Sequence, residues 1–227
     1  MTMYVWPTDV VPFAASFYKQ HHSTVFESPL TRTQQVLGRA GDRYVCDATF
    51  NLPLALAGKL DGFLAKVKGP QNTVEAWTFH RPHPTASYWN TEPTDYLTLL
   101  DFSDGTDFTD NTQMYYERAY APIVLSRDPV MFGGFAQNAN VINPGDFVSI
   151  NDVLYVIATS ADSGPDGEVG VSLPDALVAD YGDVITLDRP KIEMRITSDD
   201  AGSNMRSMQQ GDGFVVMYNI SFVEVLT

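Results

Sequence analysis

Asn51-Leu52-Pro53-Leu54-Ala55-Leu56-Ala57-Gly58-Lys59-Leu60-Asp61-Gly62-Phe63-Leu64-Ala65-Lys66-Val67-Lys68-Gly69-Pro70 reads as a helix with its punctuation at both ends. Asn51 has the side chain of an N-cap, Pro53 stands in the first turn, where a missing N–H is no loss, and Gly69-Pro70 ends the run. The spacing predicts a helix over 53–68. Leu56, Leu60, Phe63, Leu64 and Val67 gather on one face of a 3.6-residue period, and Lys59, Asp61, Lys66 and Lys68 take the other. Burying five such apolar side chains at about 1.5–3 kcal/mol each yields on the order of 10 kcal/mol gross, whereas a helix of this length is marginal alone. It needs a flat apolar surface to dock on.

The flanking residues supply one. Tyr44, Cys46, Ala48 and Phe50 alternate with Arg43, Val45, Asp47 and Thr49; after the helix, Val74, Ala76 and Thr78 alternate with Thr73, Glu75, Trp77 and Phe79. A period of two is that of half-buried strands. Residues 43–79 therefore read as strand, helix, strand, with the helix on a sheet. Near the other end, Ile192, Met194 and Ile196 share a face, 198–212 reads as a polar link, and 214–226 as a long apolar strand. These two strands are expected to complete the same sheet, which places both ends of the chain in one domain.

The 227 residues are 44% hydrophobic and 12% aromatic, enough for a packed core. No apolar run approaches the ~18 residues of a membrane span, and Met1-Thr2-Met3-Tyr4-Val5-Trp6-Pro7 lacks the basic start and apolar stretch of a secretory signal. The lone Cys46 excludes an internal disulfide; its strand position predicts a buried apolar filler in a chain that matures in a reducing cytoplasm. The net charge of -14 is unevenly distributed. Between residues 82 and 188 two basic residues, Arg118 and Arg127, face seventeen acidic ones; the two ends hold twelve basic and eleven acidic residues. That step predicts an acidic module, 82–188, inserted into a domain made of 1–81 and 189–227. It argues against nucleic-acid binding by the middle, since phosphate neutralisation needs Lys and Arg in number.

Residues 13–18 form an expected strand. The polar stretch 21–33 embeds Phe26, Pro29 and Leu30. Either it is a loop or long hairpin tip that exposes Phe26 and Leu30 for contact, or both tuck back onto the core. Residues 32–37 and 44–50 bracket Gly38-Arg39-Ala40-Gly41-Asp42, which reads as a hairpin turn. In the middle, short strands are expected at 114–125 and 130–135, with Gly133-Gly134 permitting a bulge. Residues 147–150 and 153–157 are joined by Asn151-Asp152, a link able to take positive φ, and a Gly/Asp/Pro turn over 162–167 leads to a third strand at 169–173. Strands this short suggest a small barrel or sandwich.

Chemical motifs are sparse. There is no Gly-rich phosphate loop and no G-x-S-x-G elbow. His80 and His83 form an H-x-x-H broken by Arg81-Pro82 and followed by Pro84, with no cysteine nearby to complete a zinc set. Residues 162–173 carry Asp162, Asp166 and Gly167, but Gly164 and Leu173 stand where a calcium loop needs oxygen ligands. Asp199-Asp200-Ala201-Gly202 are ordinary turn formers. No catalytic residue, metal or cofactor is expected. An Asp/Glu pair for a cell-envelope hydrolase has a spacing defined only in three dimensions. Trp77, Trp89, Tyr88, Tyr115 and Tyr116 form either a sugar platform or core and interface; Tyr88 and Trp89 are the candidates if the middle is a carbohydrate-binding module.

Several segments together carry a resemblance: Trp6-Pro7, Ser16-Phe17-Tyr18, Glu27-Ser28-Pro29-Leu30-Thr31-Arg32-Thr33-Gln34-Gln35, Arg189 to Thr227 with its run Arg195-Ile196-Thr197-Ser198-Asp199-Asp200-Ala201-Gly202-Ser203-Asn204, and Gly145-Asp146-Phe147-Val148-Ser149-Ile150 followed by Val153-Leu154-Tyr155-Val156. In these the chain resembles the distal tail proteins of long-tailed bacteriophages, which join tail tube to baseplate. Residues 82–141 carry none of the likeness. The resemblance implies a mostly β (α+β) fold: a tail-tube-like β-sandwich with one packed helix, interrupted by a small all-β module. It implies a non-enzymatic structural protein without cofactor, forming a hexameric ring in the virion at the tail tip, assembled in the host cytoplasm. Its partners would be further copies of itself, the tail tube protein, the baseplate hub and other tail-tip proteins, with DNA passing the channel without specific binding. A head-to-tail ring needs two unlike surfaces on each subunit. Tyr18, Phe26, Pro29, Leu30 and Arg32 are the candidates for one of them.

Overall fold

Tyr44, Cys46, Ala48, Phe50 and Leu52 are buried along one face of a single strand, in a computed structural model that describes residues 2–38, 41–79, 81–90, 97–99, 115–117, 122–209 and 213–225. The chain is mostly β. It opens with β1 (Met3–Val5), β2 (Ala14–Gln20), β3 (Ser23–Glu27), β4 (Gln34–Gly38), β5 (Arg43–Pro53), α1 (Leu54–Val67) and β6 (Thr73–Trp77). It continues with β7 (Leu97–Leu99), β8 (Tyr115–Glu117), β9 (Ile123–Arg127), β10 (Val130–Gly133), β11 (Phe147–Ile150), β12 (Val153–Val156), β13 (Thr159–Ser160), β14 (Val169–Ser172) and β15 (Ile185–Thr186). It returns with β16 (Lys191–Ile196), β17 (Asn204–Gln209) and β18 (Gly213–Glu224). Two compact units result, Met1–Pro82 with Lys191–Thr227, and His83–Pro190.

In the first unit the sheet order is β1-β6-β16-β18-β5-β2, with β17 also paired to β18. The pair β1/β6 is parallel and the others are antiparallel. The strand β18 joins the sheet together: its early residues pair with β17, its last with β16, and nearly its whole length with β5. Its Val216, Tyr218, Ile220 and Phe222 are buried, as are Ile192, Met194 and Ile196 of β16. The helix contacts β5 and β18 and buries Ala57, Leu60, Leu64 and Val67, with Leu56 and Phe63 half-buried. Thus the apolar stripe read from the sequence is the docking face. Trp6 stands at the centre of this layer, with ring centroids 5.2–5.5 Å from Phe50, Phe63, Phe79 and Phe222. Its indole Nε1–H donates to the Val10 carbonyl at 2.8 Å, so the one polar atom of a buried ring is satisfied.

Four local expectations give way. Asn51 does not cap the helix: β5 keeps its ladder with β18 through Pro53, Asn51 stands opposite Met217, and Pro53 itself, in extended conformation, is the N-cap. Continuous pairing outweighs a single capping bond. The other end is as read, with Lys68 in the left-handed region, its N–H on the Leu64 carbonyl, and Gly69 following at positive φ. Residues 73–77 are buried on both faces rather than alternately, and Glu75 inside this strand is matched by Lys191 Nζ at 2.7 Å. The expected polar link over 198–212 contains β17, which gains its place by backbone pairing with β18. Finally, the strands on either side of 38–42 do not form the expected hairpin with each other: β4 pairs with β3 and β5 pairs with β2.

The second unit contains a four-stranded sheet, β13-β14-β10-β9, a three-stranded sheet, β12-β11-β15, and the pair β7-β8. The two larger sheets feed one hydrophobic cluster, including Val124, Phe132 and Val169 from the first and Val148, Ile150 and Ile185 from the second. The β11/β12 link is as the sequence predicts: Asn151 and Asp152 both take positive φ, the requirement of a two-residue turn matching strand twist. The third strand, β14, joins β10 and β13 instead of extending that hairpin.

Candidate functional site: an exposed β arm

The strands β2 and β5 run paired from Ala14 opposite Thr49 to Gln20 opposite Arg43. Beyond the sheet the same two chain segments pair again as β3 and β4, from Ser23 opposite Gly38 to Glu27 opposite Gln34. Residues 21–38 thus leave the sheet as a two-stranded arm, with 41–42 at its neck.

Local bonds define both ends of it. At the neck, Asp42 Oδ2 lies 2.7 Å from His21 Nδ1, and Oδ1 accepts the His22 backbone N–H at 2.9 Å. The His22 N–H, then His21, hold the Asp42 carboxyl below the usual carboxylate range. At the tip, Ser28 N–H donates to the Thr33 carbonyl at 3.0 Å and Arg32 N–H to the Ser28 carbonyl at 2.9 Å. Arg32 takes positive φ to close this loop. Pro29 and Leu30 form its exposed apex, with Leu30 93% accessible.

The arm carries apolar side chains on both faces. Val25 and Val36 are register partners on one; Phe26, opposite Gln35, and Leu37, opposite Thr24, lie on the other. Each of these four is more than half exposed. A two-stranded ribbon is marginally stable alone, and clustered apolar side chains exposed on one mark a contact surface. The arrangement can bind by apolar packing and by strand addition at its edges.

A second surface lies on the sheet face opposite the helix. Tyr18 of β2 is in register with Val45 of β5, Val45 with Val223 of β18, and Val223 with Arg195 of β16. This row, together with Gln20, Arg43 and Thr197, lines an open groove of about 380 Å³. The neighbouring positions are small and polar: Ser221 Oγ donates to Asp47 Oδ1 at 2.5 Å, and Thr49 Oγ1 to Asn219 Oδ1 at 2.9 Å.

Of the five interface candidates, Phe26, Pro29, Leu30 and Arg32 come together on the arm, exposed, so the alternative in which Phe26 and Leu30 tuck into the core does not hold. Tyr18 is 47% exposed but sits in the groove of the sheet, off the arm. Sequence reading missed Val25, Val36 and Leu37, although 23–27 and 34–38 have strand-like spacing, and missed Arg43 and Arg195, which line the same groove as Tyr18. Only register brings those three to one groove.

The remaining candidates are dispersed. Trp77 is buried in the first unit, its ring 4.9 Å from that of Phe79. Trp89 packs against the core of the second unit and is stacked by His83 at 5.3 Å, with His83 Nδ1 2.9 Å from Asp188 Oδ1. Tyr88 is exposed. The side chains of Tyr115 and Tyr116, and His80 of the H-x-x-H pair, lie outside the described residues. Residues 164–168 close a turn through Gly164 N–H to the Glu168 carbonyl and Gly167 N–H to the Gly164 carbonyl. Asp200 is bonded by Ser198 within its own turn. Among the described residues no group of three or more His, Cys, Asp or Glu is placed to hold a metal ion, and no helix is long and apolar enough to cross a membrane. No protein-family model and no curated protein sequence matches the chain.

Proposed function

We propose that this chain is a structural, non-enzymatic protein of the virion of a long-tailed bacteriophage, self-associating into a ring that joins tail tube to baseplate around the DNA channel. The observation that carries self-association is the arm: residues 21–38 project from the sheet with Val25, Phe26, Leu30, Val36 and Leu37 exposed. A monomer gains nothing from such side chains in water, whereas at about 25 cal/mol per Å² of apolar surface they favour association once covered. The tail-tip assignment rests on the resemblance of the Trp6-Pro7, 27–35 and 195–204 segments. The net charge of -14 suits a channel that DNA passes without adhering.

The test is the absolute mass of the purified protein by light scattering over a wide concentration range, with ring-shaped particles sought by electron microscopy, alone and with tail tube protein. Closed rings are the expected result. Deleting residues 21–32 should abolish assembly and tail incorporation while Cys46 stays shielded from thiol reagents, the sign of an intact core. Normal virions from that deletion would overturn the reading, as would a monomer under all these conditions.

A further inference from the structure

We infer that the groove on the open face of the sheet is the socket for the arm tip of a second copy of this chain; the inference rests on the self-association proposed above. The tip is a preformed knob. Its loop is closed by the Ser28, Arg32 and Thr33 backbone bonds, and it offers Leu30 at the apex with Glu27 and Arg32 beside it. The groove is its complement: an apolar floor of Val45 and Val223 edged by Tyr18, cations at Arg43 and Arg195, and Asp47 on the next register row. Among the described residues no carboxylate lines the groove itself. In a chain of net charge -14, a cationic and apolar groove selects a short segment carrying both a carboxylate and an apolar knob. Glu27 with Leu30 is such a segment.

The occupant is a second copy for a geometric reason. At about 3.3 Å per residue, on the order of 30 Å of chain separates Leu30 from Gln20, which borders the groove. The strands are paired from Ser23–Gly38 to Glu27–Gln34, and Asp42 braces the neck through His21 and His22, so the ribbon does not double back onto its own base. Tip into groove is a heterologous contact between unlike surfaces, and repetition of it closes a ring or extends a filament.

Two experiments test the socket. Leu30→Cys and Thr197→Cys are prepared as separate proteins, mixed and oxidised; the native Cys46 is buried and does not compete. A disulfide-linked heterodimer in several-fold excess over either homodimer is expected, and the double variant should give a covalent ladder. In the second, Glu27→Arg and Arg43→Glu should each weaken association about tenfold, and their combination should restore it to within about threefold. If the wild-type protein assembles but shows neither the cross-link nor the charge rescue, the socket is wrong and self-association stands. If the wild-type protein remains monomeric at every concentration, alone and with tail tube protein, both fail.

Discussion

His21 and Asp42 close the neck of the arm, Nδ1 to Oδ2 at 2.7 Å, where the backbone ladder itself is interrupted. Pairing stops at Gln20 opposite Arg43 and resumes at Ser23 opposite Gly38, with unequal lengths of chain between. The Asp42 carboxylate, bonded to His21 and to the backbone of His22, spans that interruption.

Acid should therefore loosen the arm before the sheet. The Asp42 carboxyl is held below its ordinary value, so its stabilising contribution is complete above about pH 4 and is lost as pH falls through the lowered value. Hydrogen exchange, corrected for intrinsic rates, should show protection of β3 and β4 falling below about pH 4 while the β5/β18 ladder keeps its own. Asp42→Asn should show the same loosening already at pH 7. Arm protection in this variant equal to wild type would remove Asp42 from the neck's stability.

Tyr218 is fully buried in the sheet and donates its hydroxyl to Asp61 on the helix at 2.8 Å. Tyr218→Phe removes one bond to a partly hydrated acceptor and should cost about 1 kcal/mol. Trp6→Ala empties the centre of the aromatic layer and should cost about 3–5 kcal/mol. Urea midpoints at unchanged m-value measure both, and the order of the two effects is the sharper test.

Gly167 holds φ at +71°, and a Cβ there would lie 2.3 Å from the Phe135 carbonyl oxygen. The neighbour is backbone, fixed in turn by Phe135 N–H on the Gly167 carbonyl at 3.1 Å. Gly167→Ala should destabilise the second unit by more than about 2 kcal/mol, combining left-handed strain with a clash that no rotamer relieves. A melting temperature within a degree of wild type would contradict this.

Burial, with Asp47 adding to it, pushes the Cys46 thiol up to about 12. The thiol should be inert to disulfide reagents at pH 8 in the folded protein and react fully in denaturant. The folded state holds this proton more tightly than the unfolded chain does. Its contribution to stability is thus complete below about pH 8.5 and declines as pH rises from there towards 12. Chemical denaturation of wild type and Cys46→Ala across that range measures the difference in slope.

Much of the fold was legible because it depends on local periodicity. The 3.6-residue stripe from Leu56 to Val67 and the alternation of Tyr44, Cys46, Ala48 and Phe50 name their buried faces without reference to any other part of the chain. The Asn151-Asp152 turn is equally local, since its positive φ values need only two residues suited to them. The charge step was read at residues 82 and 188, and the compact units divide after Pro82 and after Pro190. At the arm, composition marks Phe26, Pro29 and Leu30, because apolar side chains within a polar stretch stand out in any order of strands.

Strand partners were a different matter. Alternation tells which residues share a face but not which strand lies alongside, so sequence alone pairs β4 with the wrong neighbour and makes β17 a link. Asn51 has the side chain of a cap, yet its backbone belongs to a ladder with residues far away in the chain. The groove is the extreme case: Tyr18, Val45, Val223 and Arg195 come from four strands and acquire meaning only as a row. By itself, then, the sequence determined the helix with its docking face and the buried face of β5, and it marked the polar stretch 21–33 as unusual without deciding whether it projects. Only the tertiary structure decided which strands are neighbours and which side chains face the groove, because register is set by the summed packing of a whole sheet and not by any one segment.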